Sequence, residues 1–171
     1  MSYDLRQLFE VAGEVREIDD QLELSEYELF GTKPFIRPVR IRGKVTNRAG
    51  VVTLRYRAEF VLRLFCDRCL DEFERSYQLA FEHLLTTRLM NTDNDEYIVL
   101  EDGLLDLEQL ALDDILLSLP TKLLCREDCK GLCEHCGQNL NHGSCGCSEE
   151  AEATANKTVD PRLAALGELL K

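Results

Sequence analysis

"VRIRGKVTNRAGVVTLRYRAEFVLRLFC", Val39 to Cys66, holds two alternating runs on either side of a turn. In the first run, Val39, Ile41 and Val45 alternate with Arg40, Arg42 and Lys44. In the second, Val52, Leu54, Tyr56, Ala58, Phe60, Leu62 and Leu64 alternate with Thr53, Arg55, Arg57, Glu59 and Arg63, with Val61 as the exception. Successive side chains of a strand point to opposite faces, so a period of two separates an apolar face from a polar one. "NRAG" between the runs supplies turn residues. Residues 39–65 therefore read as a β-hairpin with one core face and one basic, solvent-facing surface.

The neighbouring segments extend this sheet. In "FERSYQLAFEHLLTTRL", Phe73, Tyr77, Leu79, Phe81 and Leu85 share one parity, interrupted by Arg75 and His83. This reads as a strand returning antiparallel to the hairpin, with His83 structural. Residues 14–24 alternate loosely and read as a further strand, "YIVLEDG" as a short strand and turn, and "NTDNDE", 91–96, as a solvated acidic loop. There Asp93, Asp95 and Glu96 lack the glycine a calcium loop needs at its sixth position. Leu5, Leu8, Phe9 and Ala12 give residues 3–12 the spacing of a short amphipathic helix.

The strongest helix is "DLEQLALDDILLSLP", from Asp106 to Pro120. Asp106 and Gln109 form a capping-box pair, Pro120 marks the stop, and Leu107, Leu110, Ala111, Ile115, Leu116 and Leu119 make a broad apolar face. Asp113 and Asp114 fall on its wet side. The fold class is α+β: an antiparallel sheet, open or barrel-like, carrying a packed core helix and followed by a Cys-rich, zinc-binding C-terminal module. The expected organisation is a body over 1–120, the Cys-rich module over 121–147, a polar linker over 148–159, and an amphipathic helix over 160–171. In that last helix Asp160 is the N-cap, and Leu163, Leu166 and Leu170 form the apolar stripe.

Composition narrows the class. Of 171 residues 44% are hydrophobic, which suits a globular chain. The N-terminal residues lack a basic flank followed by an apolar run, and no apolar stretch approaches the ~20 residues that span a bilayer. A cytoplasmic protein without membrane contact is expected. Net charge is −12, but unevenly spread. Residues 33–68 carry ten basic and two acidic residues, a local balance of +8; the rest carries ten basic and 30 acidic residues, a balance of −20.

Eight cysteines in a reducing compartment point to metal ligands rather than disulfides. Cys133 and Cys136 are two residues apart and followed by Gly137; Cys145 and Cys147 arrive eight residues later. These four suit one tetrahedral zinc. Cys-x-Cys must bend to do so, since residues i and i+2 of a strand lie about 6.6 Å apart. His142 and His135 are substitute ligands by position, though both read better as exposed loop residues. Cys66 and Cys69, at the hairpin's end, and Cys125 and Cys129, after the main helix, are each half a site. Together they complete a second tetrahedron that would tie the C-terminal region to the sheet. Spacing alone leaves open other partitions of the eight thiols, a redox role for Cys66 and Cys69, and iron or an iron–sulfur cluster in place of zinc. All-cysteine closed sites are structural rather than catalytic. The chain has no Gly-rich phosphate loop, His-Glu-x-x-His or Gly-x-Ser-x-Gly, so neither an enzyme nor a small-molecule substrate is expected.

"CDRCLDEF", "LPTKLLCREDCKGLCEHCGQNLN", the Cys-x-Cys and "DPRLAAL" together resemble the bacterial and plastid YceD family, the large ribosomal RNA subunit accumulation proteins. The resemblance runs from about residue 38 to the end, and Glu134 stands where the family usually has proline. It implies a role in 23S ribosomal RNA accumulation and large-subunit assembly. Some members keep the first Cys-x2-Cys but lack the "GLC-x-x-CG…C-x-C" part. This implies that Cys66, Cys69, Cys125 and Cys129 form the older site.

The reading that follows is a ribosome-assembly factor. Arg40, Arg42, Lys44, Arg55, Arg57 and Arg63 would contact phosphates of ribosomal RNA or of a pre-50S particle, with few aromatics available for base stacking. The rival for these residues is a solvated face paired with the chain's own acids. An acidic module that shields a basic ribosomal protein, and a thiol- or zinc-responsive regulator, are the other function classes.

Overall fold

The computed structural model describes residues 1–29, 31–87 and 97–147. The described residues divide into two compact units, one made of Met1–Phe65 and Glu72–Leu123, the other of Cys66–Asp71 and residues 124–147. The expected acidic loop at 91–96, linker at 148–159 and helix at 160–171 lie outside the described residues.

In the first unit the elements run β1 (Ser2–Asp4), α1 (Arg6–Glu10), β2 (Val15–Leu22), β3 (Val39–Arg48), β4 (Val51–Phe65), β5 (Glu72–Thr86), β6 (Tyr97–Val99), a 3-10 turn (Glu101–Gly103), β7 (Leu104–Asp106) and α2 (Leu107–Ser118). Strands β2 to β6 make one sheet in chain order, curled into half a barrel; β1 pairs with β7 in a small second sheet. The α+β class holds, with one difference. β2 to β5 are antiparallel neighbours, but β6 lies parallel to β5, with Leu85 opposite Ile98.

The period-two pattern is obeyed in full on β4. Its even positions from Val52 to Leu64 are buried, and its odd positions from Arg55 to Phe65 are exposed apart from the half-buried Val61. The hairpin turns at Ala49 and Gly50, both at positive φ, as a two-residue turn matching strand twist requires. Asn47, 2% exposed, anchors it. Its Oδ1 accepts from the Gly50 amide at 3.0 Å, and its Nδ2 donates to the Leu8 carbonyl at 2.8 Å. The N-terminal helix is shorter than its apolar spacing suggests, because Ser2–Asp4 is drawn into pairing with Leu104–Asp106.

Helix α2 begins at Asp106, whose carboxylate accepts from the amides of Glu108 and Gln109. Only half of the capping box forms: the Gln109 side chain donates to Asp113 instead of reaching back. Leu107, Ala111 and Ile115 are buried. Asp113 is exposed, but Asp114 is not on the wet side. Its side chain is 13% exposed and its Oδ2 accepts from the Tyr56 hydroxyl and contacts His83 Nε2 at 2.6 Å. Burial and that carboxylate hold the Tyr56 phenol strongly up. His83 is thus a link between β5 and α2. Among the described residues, no helix is long and apolar enough to cross a membrane.

Candidate metal centres and the basic strip

Two turns of the second unit share one backbone design. In Cys66–Asp71 the Cys66 amide donates to the Asp71 carbonyl at 3.0 Å, and the Leu70 amide donates to the Cys66 carbonyl at 2.9 Å. In the other turn the Cys133 amide donates to Gln138 at 2.8 Å and the Gly137 amide to Cys133 at 2.9 Å. The fifth residue of each is left-handed, Leu70 at φ 59° and Gly137 at φ 72°. The chain curls back past the first sulfur, and amides two and three residues on turn towards it.

The electrostatics follow from that curl. Burial raises the Cys66 thiol, but the amides of Cys125, Cys69 and Arg68 outweigh burial and bring it down to about 6. The amides of Cys136 and His135, with Cys145, bring Cys133 down to about 6. Cys69 and Cys147 move the other way. Burial, then contact with the neighbouring sulfurs, pushes Cys69 up to about 12, and contact with Cys136, then burial, pushes Cys147 up to about 12. Sulfurs this crowded cannot all carry charge unaided; a cation at their centre turns these repulsions into attractions.

The structure brings Cys66, Cys69, Cys125 and Cys129 into one cluster and Cys133, Cys136, Cys145 and Cys147 into another, with the sulfurs of each within 4.8 Å of one another. Sγ–Sγ distances are 3.7 Å for Cys66–Cys129 and for Cys69–Cys125. A disulfide would need about 2.0 Å. Four sulfurs each about 2.3 Å from a central zinc would lie about 3.8 Å apart, so the first cluster fits a tetrahedral thiophilic ion. Cys145 and Cys147 fall inside the 4.8 Å limit, so the backbone bends between them. Burial separates the clusters: Cys66, Cys69 and Cys129 are at most 3% exposed, whereas Cys136 is exposed. Neither His135 nor His142 joins a cluster; both are exposed, and His142 lies 3.5 Å from Asp71.

Asparagines missing from the sequence reading complete the first site. Asn141 Nδ2 donates to Cys129 Sγ at 3.3 Å, and its Oδ1 accepts from Arg126 and from the Lys130 amide. Asn139 Oδ1 accepts from both nitrogens of Asn141, and its Nδ2 donates to Asp71 at 2.7 Å. Arg68 donates to the Cys129 carbonyl at 2.9 Å. Such contacts fix ligand orientation and temper sulfur charge. Their signal is the pair of amides in "NLN", one residue after Cys-x2-Cys-Gly.

Leu70 holds a conformation that suits glycine, yet it is 63% exposed and has little burial to lose. Leu70→Gly is expected to raise stability by about 0.5–1 kcal/mol, the left-handed penalty of about 1–2 kcal/mol less the added freedom of the unfolded chain. A thermal-melt midpoint unchanged or lowered would contradict this.

Arg40, Arg42 and Lys44 on β3, and Arg55, Arg57 and Arg63 on β4, share the outward face of the sheet. Four of them meet as direct cross-strand partners, Arg42 opposite Arg57 and Lys44 opposite Arg55. They line a groove of about 660 Å³ with Gly43 and Ala80 among its walls. Acids border the strip. Asp19 lies 3.6 Å from Arg40 and 3.5 Å from Arg42, Glu82 2.6 Å from Arg55, and Glu72 and Glu74 3.2 and 3.0 Å from Arg63. Among the described residues, Lys44 and Arg57 have no ion pair. Arg40 and Arg63 stand apart from the square, opposite Glu59 and Glu74.

The chain is 26% identical over 174 residues to the uncharacterized protein YlbN of Bacillus subtilis, covering all of this chain and 97% of that one. It is 35% identical over 109 residues to the uncharacterized proteins Mb2951c of Mycobacterium bovis and Rv2926c of Mycobacterium tuberculosis, covering 61% of this chain and 49% of each relative. The chain thus matches about half the length of these mycobacterial relatives. No solved structure matches it. The family model described as "Large ribosomal RNA subunit accumulation protein YceD" matches residues 54–170, more than half of the chain, and the protein belongs to that family.

Proposed function

We propose that this protein is a non-enzymatic ribosome-biogenesis factor of the cytoplasm. It supports accumulation of large-subunit ribosomal RNA by binding that RNA, free or within a pre-50S particle, through the strip on β3 and β4. Both four-cysteine clusters hold structural zinc. The family description supports the role. The observation that carries the binding reading is the cation square. Like charges directly opposite on a sheet destabilise it, and here Arg42 faces Arg57 while Lys44 faces Arg55. A polyanion that neutralises the square recovers that cost and releases counterions. In the clusters the thiolate set selects a soft or borderline ion, and four protein ligands leave no open position for catalysis.

The test is co-sedimentation with large-subunit precursors. The variant R42E/K44E/R57E should lose at least tenfold of the bound fraction while its circular dichroism stays unchanged. Retained binding would overturn the reading. A complex that survives RNase treatment would favour the second reading, an acidic module for a basic ribosomal protein, which the net charge of −12 supports.

A further inference from the structure

We infer that the ligand of the strip is double-stranded RNA, gripped along one sugar–phosphate backbone. This inference rests on the RNA-binding reading above.

The strip offers charge but no stacking platform. On β4 and β5 the aromatic rings Tyr56, Phe60, Phe73, Tyr77 and Phe81 occupy the inward parity, and several pack on one another, as in the Phe60–Tyr77 stack at 5.3 Å. Tyr56 and Phe81 also border the groove, but both are in the inward parity and Tyr56 is buried, so Arg42, Lys44, Arg55 and Arg57 have no aromatic neighbour among the outward positions of β3, β4 and β5 around it. Phe65, the outward aromatic of β4, lies eight positions beyond Arg57, about 26 Å along the strand. Tyr97 sits on the far edge strand, beyond β5 and its Glu82. Proteins that hold single strands gain on the order of tenfold or more per base from stacking, and this face forgoes that gain. What remains is counterion release, which is larger per contact for a duplex, whose charge is denser than a single strand's. A duplex also presents its phosphates already ordered, so a flat, rigid strip need not immobilise a flexible chain.

The width of the strip limits the grip. Cations dominate the outward faces of two strands, β3 and β4, with Glu59 the one acid among them on β4. Glu17 and Asp19 on β2 flank them on one side, and Glu72, Glu74 and Glu82 on β5 on the other. Two strands span about 5 Å between axes, enough for one backbone, and the acids repel a second one alongside. Ala80, directly opposite Arg57 on the outward face of β5, puts a small residue beside the cations, so a phosphate can approach the sheet there.

The test uses the full chain loaded with zinc. Fluorescence anisotropy compares a fully paired RNA hairpin with an unstructured pyrimidine strand carrying the same number of phosphates, at several salt concentrations. The hairpin should bind at least tenfold more tightly, with a log–log salt slope of roughly −3.6 to −5.4, as four to six phosphate contacts predict. Lys44→Ala with Arg57→Ala should lower hairpin affinity at least tenfold, and Tyr97→Ala should leave it unchanged. Equal or tighter binding of the single strand overturns the duplex inference and leaves RNA binding standing. Loss of affinity in Tyr97→Ala overturns it too, by revealing a stacking contact. Failure of both RNAs to bind removes the RNA reading and this inference with it.

Discussion

Cys129→Ser is expected to unfold the part of the second unit around the first cluster, residues 66–71 and 124–132, while the sheet stays folded. Among the described residues of that unit, the apolar side chains that are fully buried are Cys66, Cys69 and Cys129. Leu124, Leu132 and Leu140 are half-buried at best, so among the described residues no hydrocarbon core stands behind the sulfurs. A polypeptide of this size without a core depends on a metal or disulfides, and the eight cysteines are free. Structural zinc contributes about 10–16 kcal/mol to small finger domains, as much as the entire stability of many proteins, ~5–15 kcal/mol. Loss of one buried ligand also strands three sulfurs whose charges then repel. Elemental analysis should show about two zinc ions per chain in the native protein and about one in Cys129→Ser. Amide resonances of residues 66–71 and 124–132 should collapse, while those of 133–147, held by the second cluster's ion, and of β3 to β5 stay dispersed. Cys136→Ser, at the exposed cluster, should disturb residues 133–147 while leaving 66–71 in place. Full dispersion in metal-free protein would refute the dependence on metal.

The contrast between what could and could not be read in the sequence has physical causes. β3 and β4 were legible because ten- and fifteen-residue strands repeat the alternation many times, and burial enforces it at nearly each step. β1, β6 and β7 were not, since three residues carry no period; β1 exists because β7 is there to pair with it. Asp114 was misplaced for a different reason. It lies three residues after Ala111 and one before Ile115, on the buried stripe, but its neighbour Asp113 made the pair look solvated. Helical spacing contained the answer, and the polarity of aspartate masked it.

At the cysteine sites, spacing named the sulfurs, because four ligands from short turns leave few arrangements. It did not name Asn139, Asn141 or Asp71, whose role depends on where sulfur lone pairs point after folding. The left-handed turn at Leu70 was hidden outright, since leucine gives no hint of a positive φ. For the basic residues, the alternation gave their face, and register alone revealed which cations oppose one another. It also showed that Asp19, Glu82, Glu72 and Glu74 pair with four of the six. The reading of this face as one paired with the chain's own acids is therefore realised at four of its six cations, two of them in the central square, while Lys44 and Arg57 have no ion pair among the described residues.

Gly43→Ala is expected to be the most damaging single methyl addition in the sheet. Gly43 takes its turn in the inward series Val39, Ile41, Gly43, Val45, directly opposite Tyr56. A Cβ there would lie 2.2 Å from the Arg55 carbonyl oxygen, 2.5 Å from Tyr56 Cβ and 2.6 Å from Tyr56 Cα. These atoms belong to the backbone or its first carbon and cannot rotate away, so β3 must separate from β4. Tyr56 cannot yield either. It packs at 5.2 Å against Phe81, and its hydroxyl holds Asp114 of α2. Ordinary overpacking costs about 1–3 kcal/mol; a clash with fixed atoms at the centre of the hairpin should reach the top of that range or exceed it. At several degrees per kcal/mol for a unit of this size, the melting midpoint should fall by roughly 10–20 °C. The same shift should disrupt the cation square, because Arg42 and Lys44 flank Gly43. RNA affinity should then fall along with stability, even at temperatures where the variant is folded. A midpoint within about 2 °C of the native protein would mean that the two strands already have room for a side chain, and that the close approach at Gly43 does not shape the groove.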